Sequence, residues 1–221
     1  MKQLITLIIC SFSAIFVNAQ PPKGMGASDP EAKKILDAVS AKFKTYKTVK
    51  AGFALKVEGS NGKSQGNKTG TVYMKGTKYY VNVTGQEIFC DGTNIWTYDK
   101  SAKEVQITQF DPSANTITPQ KLFTNFYDKD FLYKLNGEKK QGNATVQEIE
   151  LTPIDKSKPF FKVLINVNKN TQAISGTTVF DKNGNKYTYT VNNLTPNAAV
   201  SDAQFVFDSK KYPGVEVVDL R

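Results

Sequence analysis

The spacing of apolar residues near the start of the chain predicts one amphipathic helix. Asp29, Pro30 and Glu31 supply a capping side chain, a proline in the first turn and negative charge near the helix N-terminus. Apolar residues then recur at the spacing of a single helix face. Those positions are Ala32, Ile35, Leu36, Val39 and Phe43. Because such a face must cover another apolar surface, we interpret Ile35, Leu36, Val39 and Phe43 as a lid helix.

From Val49 onward the period of the pattern changes to two. Ala51, Phe53 and Leu55 alternate with small or charged residues, which is typical of a strand with one dry face and one wet face. Similar stretches follow, each bounded by turn-forming or charged residues. They cover residues 69–75, 78–84, 87–90, 94–98, 104–108, 146–153, 160–168, 173–181, 186–194 and 204–208. The pattern therefore predicts about eleven strands, and the short connections favour antiparallel meanders.

Residues 111–135 interrupt this rhythm. Their first part is loop-like, and residues 119–123 are able to open a short helix that brings Phe123, Phe126 and Tyr127 onto adjoining positions. The Lys182 to Asn185 stretch is a good hairpin turn. The last ten residues read as polar and extended, which fits one more strand at an edge.

The predicted sheet is large for the helical cover that is available. A sheet of about eleven strands twists and curls, and its alternation makes one face apolar. One long helix and a short insertion are too little to fill the concave side. We therefore predict an α+β, mostly β fold, a single curled antiparallel sheet around an apolar cavity. The residues predicted to line the cavity are Phe53, Leu55, Val72, Met74, Tyr79, Val81, Trp96, Tyr98, Phe123, Phe126, Val163, Ile165, Tyr187 and Tyr189, with Phe161 on the same face.

The first residues have the composition of a secretory signal peptide. Lys2 is followed by an uncharged apolar stretch over residues 4–17, and Val17 and Ala19 form a small-residue cleavage pattern. We expect residues 1–19 to be removed, residues 20–28 to be irregular, and residues 29–221 to form a single domain. The apolar stretch is short for a membrane-spanning helix, so the prediction is an exported, soluble chain.

Cysteine and charge usage narrow the choice of partners. Cys10 falls in the predicted signal peptide, which leaves Cys90 without a thiol partner, and we interpret Cys90 as a small buried apolar residue. The net charge is +9, with lysines scattered among acidic residues rather than gathered in runs. This distribution suits a solubilising surface, is compatible with an anionic membrane or acidic partners, and does not indicate nucleic acid.

The residue types needed for most catalysis are missing or differently used. The chain has no histidine, which removes imidazole-assisted nucleophiles and most zinc sites. Asp91 and Asp99 stand where aspartate makes turns, and Glu148 and Glu150 fit the wet face of one strand. We predict no enzyme, no cofactor and no metal site, with a carboxylate hydrolase that uses Asp91 as the remaining catalytic alternative.

The order of several motifs carries a family resemblance. The helix leads into the strand that contains Phe53, and GTVYMK (residues 70–75) precedes an aromatic strand. CDGTNIWTYD (90–99) makes a hairpin, and IELTP (149–153) precedes FFKVLINVN (160–168). DKNGN (181–185) and YPGVEVVD (212–219) complete the series. Over residues 31–219 this order resembles the periplasmic outer-membrane lipoprotein carrier family, the LolA-like proteins.

This resemblance implies an unclosed β-barrel covered by helices, and a function without bond-making chemistry. The protein would be a monomeric periplasmic carrier that accepts the acyl chains of lipoproteins from an inner-membrane ABC transporter. It would deliver them to an outer-membrane acceptor, with only peripheral membrane contact.

The chain departs from the family at one position. Members of the family carry an arginine just after the strand equivalent to residues 70–75, where it helps to latch the lid helices, and here the place is taken by Gly76. Lys75 or Lys78 is an alternative latch, although lysine lacks the bidentate fork of arginine. Two other functions stay open. One is a protein of the same fold that binds or senses a free lipid, and the other is a structural protein whose aromatic residues are core.

Overall fold

The N-terminal helix begins at its predicted cap. The computed structural model describes residues 28–112, 119 and 127–221, so the predicted signal peptide lies outside it. Helix α1 spans Pro30–Lys44 and a short helix, α2, spans Tyr127–Asp130. Asp29 Oδ1 accepts a hydrogen bond from the Glu31 N–H at 2.8 Å, and Asp29 Oδ2 accepts one from the Leu135 N–H at 3.0 Å. One carboxylate therefore caps α1 and ties it to a strand.

The strands account for most of the described chain. They are β1 Val49–Glu58, β2 Ser64–Lys75, β3 Lys78–Val83, β4 Gln86–Cys90, β5 Asn94–Asp99, β6 Glu104–Gln109, β7 Phe131–Gln141, β8 Ala144–Pro153, β9 Phe160–Asn168, β10 Ala173–Asp181, β11 Lys186–Pro196 and β12 Glu216–Asp219. None of the helices within residues 28–112 and 127–221 is both long and apolar enough to cross a membrane.

All twelve strands belong to one open sheet. Their order is β12-β6-β5-β4-β3-β2-β1-β11-β10-β9-β8-β7. β1 to β6 form one meander, β7 to β11 form a second, and the β1–β11 pair joins the two at the centre. β12 runs parallel to its neighbour, β6, whereas the other strand pairs of the described chain are antiparallel. Because β12 and β7 are separate edges, the sheet is unclosed, and the predicted fold class is confirmed.

The strand prediction was wrong in two places. β7 was not predicted, and it begins directly after α2, inside the stretch that we read as an irregular insertion, because no turn-forming residue separates Asp130 from Phe131. Residues 204–208 were predicted as a strand, but Gln204 and Phe205 belong to the 3-10 helix Asp202–Phe205, and residues 206–208 connect it to the 3-10 helix Ser209–Lys211. Ser201 and Asp208 cap these two turns through their side chains. The edge position next to β6 is taken by β12.

The main core lies between α1 and the inner face of the sheet. Leu36 and Val39 of α1 are buried there, and Ile35 and Phe43 pack against the same cluster. Tyr127 of α2 donates a hydrogen bond to Asp37 Oδ1 at 2.9 Å, which holds α2 against α1. The helix predicted as a lid is thus built into the core.

A second apolar cluster covers the outer face of the sheet. The chain after β11 (residues 197–215, here called the C-terminal segment) crosses the outer surface of β3 to β5 before β12 pairs with β6. Phe205 of this segment is fully buried against Tyr80 and Phe89, with Trp96 packed at the edge of the cluster. The prediction of a solvated outer face therefore fails for these strands.

A buried carboxylate fastens this segment to the sheet. Glu87 Oε2 accepts hydrogen bonds from the Tyr212 hydroxyl at 2.6 Å and the Tyr80 hydroxyl at 3.1 Å. Its other oxygen pairs with Lys100 Nζ at 2.9 Å. A second anchor is Asp202, which pairs with Lys75 and Lys78 at 2.6 and 3.0 Å.

Replacing Glu87 with Ala should destabilise the protein. The hydroxyls of Tyr80 and Tyr212 and the ammonium of Lys100 would lose their shared acceptor, so we expect the free energy of unfolding to fall by about 2–3 kcal/mol. Urea denaturation followed by circular dichroism measures the change. Glu216→Ala, an exposed position in β12, is the control and should leave the free energy unchanged. An equal loss in both variants would contradict this role of Glu87.

Acid should weaken the attachment of the C-terminal segment. Burial raises the pKa of Glu87, but hydrogen bonds from Tyr212 and Lys100 outweigh it and leave the pKa below its ordinary value of 4.5. A lowered folded-state pKa gives stability that is complete above pH 4.5 and lost as the pH falls through the folded value. Trp96 packs against this cluster, so its emission should shift on acidification. The Glu87→Gln variant should lack that step, and an identical titration in both proteins would refute the assignment.

Candidate functional site

The inner face of the sheet encloses an apolar cavity of about 470 Å³. Its volume is within the range of ligand pockets, roughly 300–1,000 Å³. The walls come from β1 to β4 on one side and from β10 and β11 on the other, and they share an apolar or aromatic character. The lining residues are Ala51, Phe53, Val72, Tyr79, Val81, Ile88, Pro119, Ile174, Thr177, Val179, Tyr187, Tyr189 and Val191.

Strand register brings these side chains into rows. Val72 of β2 lies opposite Val81 of β3, which lies opposite Ile88 of β4. On the other wall, Val179 of β10 lies opposite Tyr187 of β11. Side chains on directly opposed strand positions share one face, so each row extends the apolar wall sideways.

A register shift and a glycine shape the central wall. Between Gly52 and Phe53 the β1–β11 register skips one residue of β11, which places Val191 opposite Phe53. The ring of Phe53 lies over Gly70 of β2, where a Cβ atom would come within 2.5 Å of the ring and 2.6 Å of the Asn82 carbonyl oxygen. A side chain at position 70 would push Phe53 from its place in the wall.

None of the described residues that line the cavity carries a charge. Burial raises the pKa of Tyr79 and of Tyr189, so both phenols are neutral at ordinary pH. Cys90, whose side chain is fully buried, lies next to Tyr79 and has its pKa raised by burial. Its thiol is therefore protonated and poorly nucleophilic, in agreement with its interpretation as a small buried residue. Such a surface binds an apolar chain by contact and desolvation.

The structure places part of the predicted set in the cavity wall. Those residues are Phe53, Val72, Tyr79, Val81, Tyr187 and Tyr189. The sequence reasoning did not single out Ile88, Thr177, Val179 and Val191, although alternation within β4, β10 and β11 contains the signal. That any of these side chains contacts an acyl chain stays a prediction.

Other predicted residues lie elsewhere. Met74, Val163 and Ile165 are buried in the main core, and Leu55 is partly buried opposite Tyr189, beyond the lining. Phe161 is 51% exposed at the start of β9. Phe123 and Phe126 lie outside the residues that the structure describes.

Trp96 and Tyr98 were predicted to line the cavity, and the structure places them on the outer face instead. Trp96 packs against the outer cluster, and the Tyr98 ring lies 4.7 Å from that of Tyr212 and 6.0 Å from that of Phe207. Their alternate neighbour Ile95 faces the main core. The prediction chose the aromatic side of β5 as the inner side, whereas the C-terminal segment covers that side.

The carboxylates weighed as catalytic groups have local structural roles. Asp91 Oδ1 accepts the N–H groups of Thr93 and Asn94, both at 2.8 Å, and Asp99 Oδ1 accepts that of Ser101 at 2.8 Å. Glu148 pairs with Lys139 on the outer surface. The aspartates therefore close turns, as their positions in the sequence indicated.

The fold and the cavity define a class of protein in which an open, curled sheet packs against a helix and has an apolar cavity on its inner face. Residues 44–208 match the model of the family described as outer membrane lipoprotein carrier protein LolA. The chain belongs to this family, and the resemblance read from the sequence is confirmed. A comparison with curated proteins gives no match.

Comparison with solved structures finds several similar chains. An uncharacterized conserved protein from Thermus thermophilus superimposes with a TM-score of 0.58 at 14% identity, over 86% of this chain and 99% of that one. A LolA superfamily protein from Nitrosomonas europaea has a TM-score of 0.44 at 17% identity, over 80% and 97% of the two chains. The lipoprotein LppX of Mycobacterium tuberculosis has a TM-score of 0.45 at 11% identity, over 79% and 99%. The likeness to the Thermus protein supports the fold alone.

Filling the cavity should reduce binding of an apolar probe. Val179 lines the cavity and Thr178, the next residue of β10, points to the outer face, where its hydroxyl meets that of Thr188. We expect Val179→Phe to raise the Kd of a dansyl-labelled fatty acid by about tenfold, or ~1.4 kcal/mol. Thr178→Phe is the matched control and should bind like the wild type. Equal affinities of the two variants would show that the probe binds elsewhere.

Proposed function

We propose that this protein is a periplasmic carrier that holds the acyl chains of lipoproteins in its apolar cavity and moves them from the inner to the outer membrane. The observation that supports this most directly is the uncharged cavity on the inner face of the sheet. Membership of the lipoprotein carrier family points to the same cargo.

The energetics of an acyl chain explain why a carrier is needed. A saturated chain of about sixteen carbons gains roughly 10 kcal/mol or more on leaving water, at about 0.8 kcal/mol per methylene. A triacylated or diacylated protein therefore needs an apolar shelter to cross an aqueous space. The walls of this cavity offer contact without ion pairs, so release to a second apolar site involves no loss of a charged interaction.

The route belongs to the same proposal. Residues 1–19 would direct export and be removed, and residues 29–221 would act as one monomeric domain in the periplasm. An inner-membrane ABC transporter would load the cavity and an outer-membrane protein would accept the cargo. Because Leu36 and Val39 are buried in the main core, α1 would stay in place during this exchange.

One observation favours a second candidate, a protein of the same fold that binds or senses a free lipid. The latch position holds Gly76, which has a φ of 57° and forms the β2–β3 turn, a conformation that disfavours arginine. Lys75 and Lys78 are engaged by Asp202 of the C-terminal segment, on the outer side. Without a latch that closes a lid, the ligand would be held by contact with the cavity walls alone, which suits a small lipid.

Photo-crosslinking in cells separates these candidates. A benzoylphenylalanine at Val191, which lines the cavity, should trap acylated lipoproteins that mass spectrometry then identifies. The same group at Asn193, an exposed position of β11, is the control and should trap none of them. Recovery of free lipid alone at position 191 would establish the second candidate. Equal adducts at both positions, or no lipid-bearing adduct, would refute cavity binding.

A further inference from the structure

An exposed apolar patch lies at one end of the second meander. Phe161 at the start of β9 is 51% exposed, and Ile154 in the β8–β9 loop is 42% exposed. We call the β8–β9 loop, Phe161, Lys162 and residues 180–182 the rim patch. The rim patch adjoins the cavity. Val179 comes just before residues 180–182, Tyr187 comes just after the turn of the β10–β11 hairpin, and both line the cavity.

The backbone explains why Phe161 points outward. The β9–β10 register shifts between Phe180 and Asp181, so that Phe160 pairs with Asp181 and Phe161 is left as an extra residue. Phe160 is buried and stacks on Phe131, with ring centroids 6.1 Å apart. Phe161 instead contacts Phe180 on the outer side, at 6.2 Å between centroids. The shift therefore holds a large aromatic side chain in solvent.

The patch is held together as one surface. The Lys182 N–H donates to the Pro159 carbonyl oxygen at 3.0 Å, and Lys182 Nζ donates to the Lys156 carbonyl oxygen. Lys162 Nζ lies 4.5 Å from the centre of the Phe180 ring. The loop and the hairpin are thus fixed to each other beneath the exposed side chains.

The charge of the patch is positive. Lys156, Lys158, Lys162 and Lys182 form no ion pair with a carboxylate within residues 28–112 and 127–221, unlike Lys75, Lys100 or Lys186 elsewhere on the sheet. The carboxylates nearby are occupied by turns: Asp155 accepts from the Ser157 N–H and Asp181 from the Asn185 N–H. Lys156 Nζ and Lys182 Nζ donate to the carbonyl oxygens of Pro153 and Lys156, and Lys162 Nζ lies over the Phe180 ring, so the four positive charges lie beside two exposed apolar side chains without a carboxylate in an ion pair.

We infer that the rim patch docks the protein on the surface of an anionic phospholipid bilayer, an inference that rests on the proposed carrier function. Lysines that bind phosphate groups and an aromatic side chain that enters the headgroup layer are the two components of peripheral membrane attachment. The cargo of the proposed function is anchored in membranes, which favours a bilayer over an acidic protein as the occupant. Docking here would bring the cavity end next to the lipid.

Vesicle cosedimentation tests this surface. The wild type should bind vesicles of phosphatidylcholine and phosphatidylglycerol, release them at high salt, and bind vesicles of phosphatidylcholine alone far less. Phe161→Ser should lower the partition coefficient by about tenfold. Joint replacement of Lys156, Lys158 and Lys182 by Gln should lower it by about a hundredfold, or about fivefold per charge. Val217→Ser, at a residue that is also 51% exposed but lies in β12, is the matched control.

The outcomes distinguish this inference from the proposed function. Membrane docking through the rim patch is supported if the Val217 variant binds vesicles like the wild type and the Phe161 and triple-lysine variants bind them less. No binding of anionic vesicles, equal binding of neutral vesicles, or equal losses in the Phe161 and Val217 variants overturns it, and an acidic protein partner would then be the occupant to test. Binding of the dansyl-labelled fatty acid is measured on the same variants and should stay at the wild-type value. If the wild type does not bind that probe, the cavity function is refuted. The vesicle result still tests membrane docking, because it does not depend on the probe.

Discussion

The pairing of β1 with β11 is the constraint on which the rest of this structure depends. It runs from Val49 opposite Pro196 to Glu58 opposite Lys186, and it joins the β1–β6 meander to the β7–β11 meander in one sheet. Its register shift places Phe53 and Val191 side by side in the cavity wall. Because the partners are far apart in sequence, the pair closes a long loop, and the cavity exists only once that closure is made.

The two faces of the sheet are used differently. The inner face divides into a dense core under α1 and an uncharged cavity beyond it, so one helix covers only part of a wide apolar surface. On the outer face the C-terminal segment seals an aromatic cluster through Glu87 and Asp202. Within the described part of the chain, the inner cavity and the rim patch are two apolar surfaces that the C-terminal segment does not cover. A sheet that is covered on its outer side suits the proposed function, in which the cavity accepts and releases an acyl chain.

Much of the candidate site was predictable, and the failures have a common cause. Alternation correctly grouped Tyr79 with Val81 and Tyr187 with Tyr189, since these pairs share a strand face whatever the tertiary structure. Alternation also separated Trp96 and Tyr98 from Ile95, but it gave no information on which group faces inward. The prediction followed size and aromaticity, and it failed because a segment more than 100 residues later covers the aromatic side. The prediction that Phe161 lies on the inner face failed for a local reason. A register shift turns this residue outward, and the composition of the sequence does not indicate such a shift.

Local rules in the sequence determined the elements of this protein. The cap at Asp29, the spacing of Leu36 and Val39 and the period of two from Val49 onward depend on neighbouring residues alone, so helix, strands and family resemblance were readable from one chain. The tertiary structure alone decided which strands are neighbours, where β12 pairs, and which part of the apolar inner face lines the cavity. Those outcomes depend on contacts between residues that are distant in sequence. The free energies of these contacts are set by packing and by the burial of groups such as Glu87, and not by the local sequence pattern.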